Sequence, residues 1–145
     1  MKKHIIIICI LLGITPLLSG QSQNLKSFFD KLADNPNCTF VYSAQEVAYP
    51  NDWGEEKTWV KRHSYVVRYT EKNSPEIDSL INELRVLALA SRLELTSKIN
   101  TKDRLNEVYL NPNKKQNERV SIIHIKRGGR QLNFFWNYDE PILRK

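Results

Sequence analysis

Cysteine is almost absent: the 145-residue chain has two, Cys9 and Cys38. Cys9 falls in an N-terminal stretch laid out like a secretory signal peptide, with Lys2 and Lys3, an apolar run from Ile5 to Leu12, then Gly13, Pro16, Ser19 and Gly20. Cleavage after Gly20, or after Ser22 where Gly20 and Ser22 satisfy a small-x-small rule, leaves Cys38 alone. An internal disulfide is then impossible, although export implies an oxidising compartment, periplasmic or extracellular. Cys38 precedes an apolar stretch, so a buried, inert thiol is expected, with a mixed disulfide or covalent dimer as the alternative. Long hydrophobic runs are also missing. The apolar part of the leader is shorter than the roughly 20 residues of a membrane span, and "LLSGQ" has Gln21 where a lipoprotein needs its cysteine. The expectation is a leader at 1–20 and one exported domain at 21–145, not membrane-spanning.

Histidine and glycine are scarce too. The chain has 3 histidines and 5 glycines. His63 and His124 show no HxH or HExxH spacing, so no metal site is expected, and Lys61 and Arg62 beside His63 should disfavour its protonation. No GxSxG or SxxK nucleophile elbow occurs. Gly128–Gly129 is followed by "RQLNFFW", a strand pattern, whereas a phosphate-binding glycine loop must open a helix. No cofactor and no catalytic residue is assigned. Nucleic acid is not an expected partner: in the "HIKRGGRQLNFFW" hairpin most aromatics fall on the core side, not on a stacking face.

What the chain does have is uneven charge. Without Lys2 and Lys3 its 22 basic residues become 20 against 16 acidic ones, a net +4. Lys114, Lys115, Arg119, Lys126, Arg127 and Arg130 against Glu118 give the 114–130 segment +5. Lys126, Arg127 and Arg130 at the hairpin tip are therefore candidate contacts for an anionic partner. The acidic counterpart is Glu46, Asp52, Glu55 and Glu56. In "YPNDWGEEKTW" these carboxylates lie beside Trp53 and Trp59, the combination that carbohydrate recognition or glycoside hydrolysis uses. Asp52, Trp53, Glu55 and Trp59 are thus the candidate ligand-binding residues, in a loop rich in Pro, Asn and Gly.

Periodicity suggests an α+β fold. Leu25, Phe28, Phe29 and Leu32 predict a helix capped by Asn24 and ending near Asn35, before Pro36. "TFVY" at 39–42 predicts a strand, and Ser43 with Glu46 a capping box for a short helical turn. Alternation at 64–69 predicts a second strand, which Trp59 and Val60 extend. Ser74 and Pro75 open a helix with the stripe Ile77, Leu80, Ile81, Leu84, Leu87 and Ala88. "LELTS" at 93–97 reads as a strand, and 101–110 as a short helix with Leu105, Val108 and Tyr109 inward. A two-residue Gly128–Gly129 turn would set Ile125 opposite Leu132, Ile123 opposite Phe134 and Ser121 opposite Trp136, with His124 beside Asn133 on the polar face. Together these predict a small antiparallel sheet with a C-terminal β-hairpin, packed against two or three helices.

The leader, the opening "LKSFFDKLADNPNCTFVYSAQEV", the capped central helix and the β-rich end resemble a group of small exported Gram-negative proteins classed as domains of unknown function. The opening is also similar, over one helix and one strand, to the N-terminal signalling domain of secretins and TonB receptors. Neither resemblance supplies a functional residue. The expected role is a non-enzymatic exported module that binds a protein or envelope component. The alternative is a small carbohydrate-binding or hydrolytic domain built on Asp52 to Trp59.

Overall fold

The computed structural model describes residues 21–50, 57–69, 76–128 and 131–143, with side chains from residue 24. The leader, Asp52, Trp53, Glu55, Glu56, Ser74, Pro75, Gly129 and Arg130 lie outside the described residues. In chain order the elements are α1 (Gln21–Ala33), β1 (Cys38–Tyr49), β2 (Thr58–Tyr69), α2 (Glu76–Ala90), β3 (Glu94–Asn100), β4 (Arg104–Leu110), β5 (Glu118–Ile125) and β6 (Gln131–Pro141). The strands form one antiparallel six-stranded sheet ordered β1-β2-β6-β5-β4-β3. The C-terminal hairpin is thus the centre of the sheet, between the β1–β2 and β3–β4 hairpins.

This overturns the expected small sheet carried by two or three helices: the sheet dominates, with two helices among the described residues. Two segments read as helical are strands. Ser43 and Glu46 satisfy a capping box locally, but both lie inside β1, which pairs with β2 without interruption from Cys38↔Tyr69 to Tyr49↔Thr58. In β4 the buried residues are Leu105, Glu107 and Tyr109, a period of two. A glutamate in the middle of that row hides the alternation, and Leu105, Val108 and Tyr109 then mimic a helical face.

The helices behave as their stripes predict. Leu25, Phe28, Phe29 and Leu32 of α1 are buried, as are Ile77, Leu80, Ile81, Leu84 and Ala88 of α2. α1 begins at Gln21, so Asn24 lies within the first turns and is not the cap. Both stripes pack on the sheet face formed by Tyr65, Val67 and Tyr69 of β2, Leu132, Phe134 and Trp136 of β6, Val120 and Ile122 of β5, and Leu105 and Tyr109 of β4. At its centre Phe29 stacks on Trp136 with ring centroids 5.7 Å apart, and Trp136 stacks on Tyr65 at 4.8 Å. Each such fully buried aromatic contributes about 2–3 kcal/mol of burial.

The hairpin register differs by one residue from the expected one. Ile125 pairs with Gln131, His124 with Leu132, Ile122 with Phe134 and Val120 with Trp136. The connection therefore runs from 126 to 130 instead of being two glycines. A slip of one residue exchanges the faces of a strand. Ile122 and Val120 enter the core in place of Ile123 and Ser121, and His124 moves to the helix side. Gly128 is in the left-handed region, at φ 80°, where glycine carries no Cβ penalty.

Candidate functional site

At one end of the sheet three segments converge: the loop end of the β1–β2 hairpin, the loop from 111 to 117, and the end of β6. On the helix-free face the centre of this region is Asp139. Arg62 grips it with two bonds, Nε to Oδ1 at 2.8 Å and Nη2 to Oδ2 at 3.1 Å. The Tyr49 hydroxyl donates to Oδ2 at 2.6 Å and Asn117 Nδ2 donates at 3.0 Å. Arg62 also donates to the Tyr49 hydroxyl and lies 5.6 Å from that ring's centre. Strand pairing explains the meeting, because Arg62 and Asp139 are direct cross-strand partners. Burial alone would raise the Asp139 carboxyl, but the Arg62, Tyr49 and Asn117 bonds outweigh it and hold it below the ordinary aspartate range. The Tyr49 phenol is raised, first by its bond to Asp139 and then by burial. Oδ2 takes three of these four bonds and Oδ1 one, so the carboxylate is fixed in position and the cluster acts as a clamp between the strands.

Beside the clamp is a cleft of about 460 Å³, bounded by Tyr49, Thr58, Lys114, Lys115, Asn117 and Asp139. Neither lysine forms an ion pair among the described residues. A second hollow of about 240 Å³ shares Lys115, Asn117 and Asp139 and adds Glu118 and Tyr138. Glu118 accepts from Trp136 Nε1 at 3.0 Å, and burial raises its carboxyl above the usual glutamate range, more than that single bond lowers it. The sheet end therefore holds two carboxyls pushed in opposite directions.

On the helix side of the same end, alternation places Tyr42, His63, Tyr138 and Glu140. His63 Nδ1 is 2.8 Å from the Tyr42 hydroxyl and Nε2 is 2.8 Å from Glu140 Oε2. The ring stacks on Tyr138 at 4.5 Å and 9°. With the proton on Nε2, the ring donates to Glu140 and accepts from Tyr42, a carboxylate–imidazole–hydroxyl chain. Of the two cations beside His63 in sequence, Lys61 shares its face by alternation and Arg62 points to the opposite one, while the ring itself meets the Glu140 carboxylate. Tyr138 hydrogen-bonds to Tyr65, and burial, followed by the Tyr65 contact, raises its phenol.

Of the sequence candidates, Trp59 lies in β2, half-buried and outside the core cluster. Asp52, Trp53 and Glu55 fall outside the described residues, but both strand ends that hold their loop, Tyr49 and Thr58, border the cleft. The basic tip is at the other end. Lys126 Nζ donates to Asn100 Oδ1 at 2.9 Å and to the Thr101 carbonyl at 3.2 Å, while Arg127 lies 3.4 Å from Asp103. These two cations brace the adjacent β3–β4 turn, and Arg130 lies outside the described residues. His124 is half-buried and, with Arg85 and Lys126, borders a polar groove of about 460 Å³ beside α2. The sequence cluster at 114–130 is thus split along β5, its lysine pair and its tip about 25 Å apart at 3.3 Å per residue.

The reading from sequence missed Asp139, Arg62, Tyr49, Tyr42 and Glu140. Their signal was available only as "YDEP" at 138–141, an acidic and aromatic strand end without a readable partner. Cys38 is half-buried at the start of β1, and burial pushes its thiol up to about 11, which fits the inert thiol expected. Among the described residues no group of three metal-ligating side chains converges, and no helix is long and apolar enough to cross a membrane. No family model and no curated protein matches the chain.

Proposed function

We propose that the protein is an exported, non-enzymatic module that binds an anionic group of a protein or envelope component in the cleft under Lys114 and Lys115. The observation that carries this reading is the pairing of two lysines that have no ionic partner among the described residues with a cleft whose own carboxylate, Asp139, is neutralised by Arg62 and hydrogen-bonded by Tyr49 and Asn117. An incoming anion meets an electropositive rim over a floor to which Val60 and Pro141 add apolar surface. The hairpin tip is the poorer site, because Lys126 and Arg127 are engaged with the neighbouring turn.

Co-sedimentation with phosphatidylglycerol vesicles and titration with an Asp/Glu-rich peptide separate the two sources of anion. Binding of either probe that is lost in Lys114→Gln/Lys115→Gln and kept in Lys126→Gln/Arg127→Gln supports the proposal. Failure of the wild type to bind both, or loss confined to the tip variant, contradicts it.

A carbohydrate reading of the same end draws on one observation, that the loop bearing Asp52 to Trp59 is rooted at Tyr49 and Thr58 on the cleft wall. Glycan-array binding by the wild type that disappears in Trp53→Ala and Trp59→Ala would favour it over the anionic one. A silent wild-type array counts against it.

A further inference from the structure

The two edges of the sheet are built differently. β3 is seven residues long, carries Glu94 and Lys98, and breaks register between Leu95 and Ser97. Charge and a bulge are the usual means of blocking an edge. β1, at the other end of the strand order, is 12 residues long, contains no Lys, Arg or Pro, and keeps an unbroken register with β2. Every residue from Val41 to Glu46 is exposed. In a strand whose residues alternate between two faces, such a run means that neither face is covered among the described residues; β3 is exposed throughout as well, so the two edges differ in length, register and edge-blocking residues. The run includes Val41 at 54% and Tyr42 at 46% exposure.

We infer that β1 is a dimerisation edge, pairing antiparallel with β1 of a second copy to give one continuous sheet. A second copy fits for three reasons. An antiparallel edge is self-complementary about a two-fold axis, since each outward donor of one strand meets an acceptor of its mate. Directly opposed residues share a face, so an axis perpendicular to the sheet at Tyr42, Ser43 or Ala44 keeps both copies' helices on one side. For those three centres Glu46 faces Cys38, Phe40 or Tyr42 of the other strand, so the one charged side chain of β1 never meets itself. Finally, the blocked β3 edge stops growth after one addition, so association closes as a dimer instead of extending as a filament. The small side chains Ser43 and Ala44 at the centre allow close approach, and the pairing covers Val41 and Tyr42.

The arrangement excludes a Cys38 disulfide, because antiparallel pairing sends the two Cys38 residues to opposite ends of the joined strands. Sedimentation at about 100 μM is expected to show a dimer that persists in reductant. Val41→Lys/Ser43→Lys sets like charges near the axis and should weaken association about tenfold or more, with thermal unfolding of the monomer unchanged. Independently, spin labels on Thr39→Cys in a Cys9→Ser/Cys38→Ser background should report a separation of about 20–35 Å across the dimer, at 3.3 Å per residue. A wild-type monomer at that concentration, a dimer lost in reductant, a dimer indifferent to the two lysines, or a label separation below about 10 Å would each overturn the inference.

Discussion

Glu118 and Glu107 show how one residue type takes opposite roles. Glu107 is 1% exposed and fully satisfied, with two bonds from Arg85 at 2.7 and 2.8 Å and one from the Tyr109 hydroxyl at 3.0 Å. Its burial would raise the carboxyl, but those donors bring it below the ordinary range, while the Tyr109 phenol is pushed up to about 12 by burial and by Glu107. Arg85→Ala strands this carboxylate and is expected to cost about 3 kcal/mol in urea unfolding at neutral pH, less than a wholly buried pair because Arg85 is partly exposed. Glu118 has one donor and a raised carboxyl. Glu118→Gln keeps the acceptor for Trp136 and removes a poorly compensated charge, so stability at pH 7 should rise by up to about 1 kcal/mol. A stability gain accompanied by weaker ligand binding would place Glu118 in the recognition surface.

At the scale of elements, α2 ends with a Schellman arrangement, Leu93 N–H to the Ala88 carbonyl and Arg92 N–H to the Leu89 carbonyl, both near 3 Å. Arg92 is at φ 62°, a position that ordinarily calls for glycine. Arg92→Gly should therefore raise the thermal midpoint, by about 0.5–1 kcal/mol in stability. The sequence showed where α2 lay because its stripe is apolar throughout, and it showed β2 because Tyr65, Val67 and Tyr69 alternate cleanly. It concealed β4, whose inward row contains Glu107, a residue that reads as polar until Arg85 of α2 is placed against it. It also concealed the hairpin register. The Gly-Gly pair suggests the shortest turn, but the longer connection puts Val120 and Ile122 against the helices, and burial decides. The clamp at Asp139 was illegible for a related reason: its four members come from β1, β2, β6 and the loop before β5, segments that only the strand order brings together.

For the whole molecule, the carboxyls set the pH dependence. Asp139 and Glu107 are lowered on folding, so their stabilisation is present above the unfolded pKa of about 4 and is lost as pH falls through their folded values. Glu118 is raised, so the folded state holds its proton more tightly, and stability declines as pH climbs from the unfolded value through the folded one. The expected profile rises steeply from acid, peaks in the mildly acidic range and then falls slightly. Glu118→Gln should abolish the fall and leave the acid limb intact, which denaturant midpoints across pH would show.

The most direct test of the binding site is a backbone amide NMR titration of the full chain with phosphatidylglycerol bicelles and, separately, with an acidic peptide. The account predicts that shifts for at least one probe concentrate at Tyr49, Thr58, Lys114, Lys115 and Asn117 and leave Lys126 and Arg127 unmoved. Shifts centred on Lys126 and Arg127, or none with either probe, would contradict it.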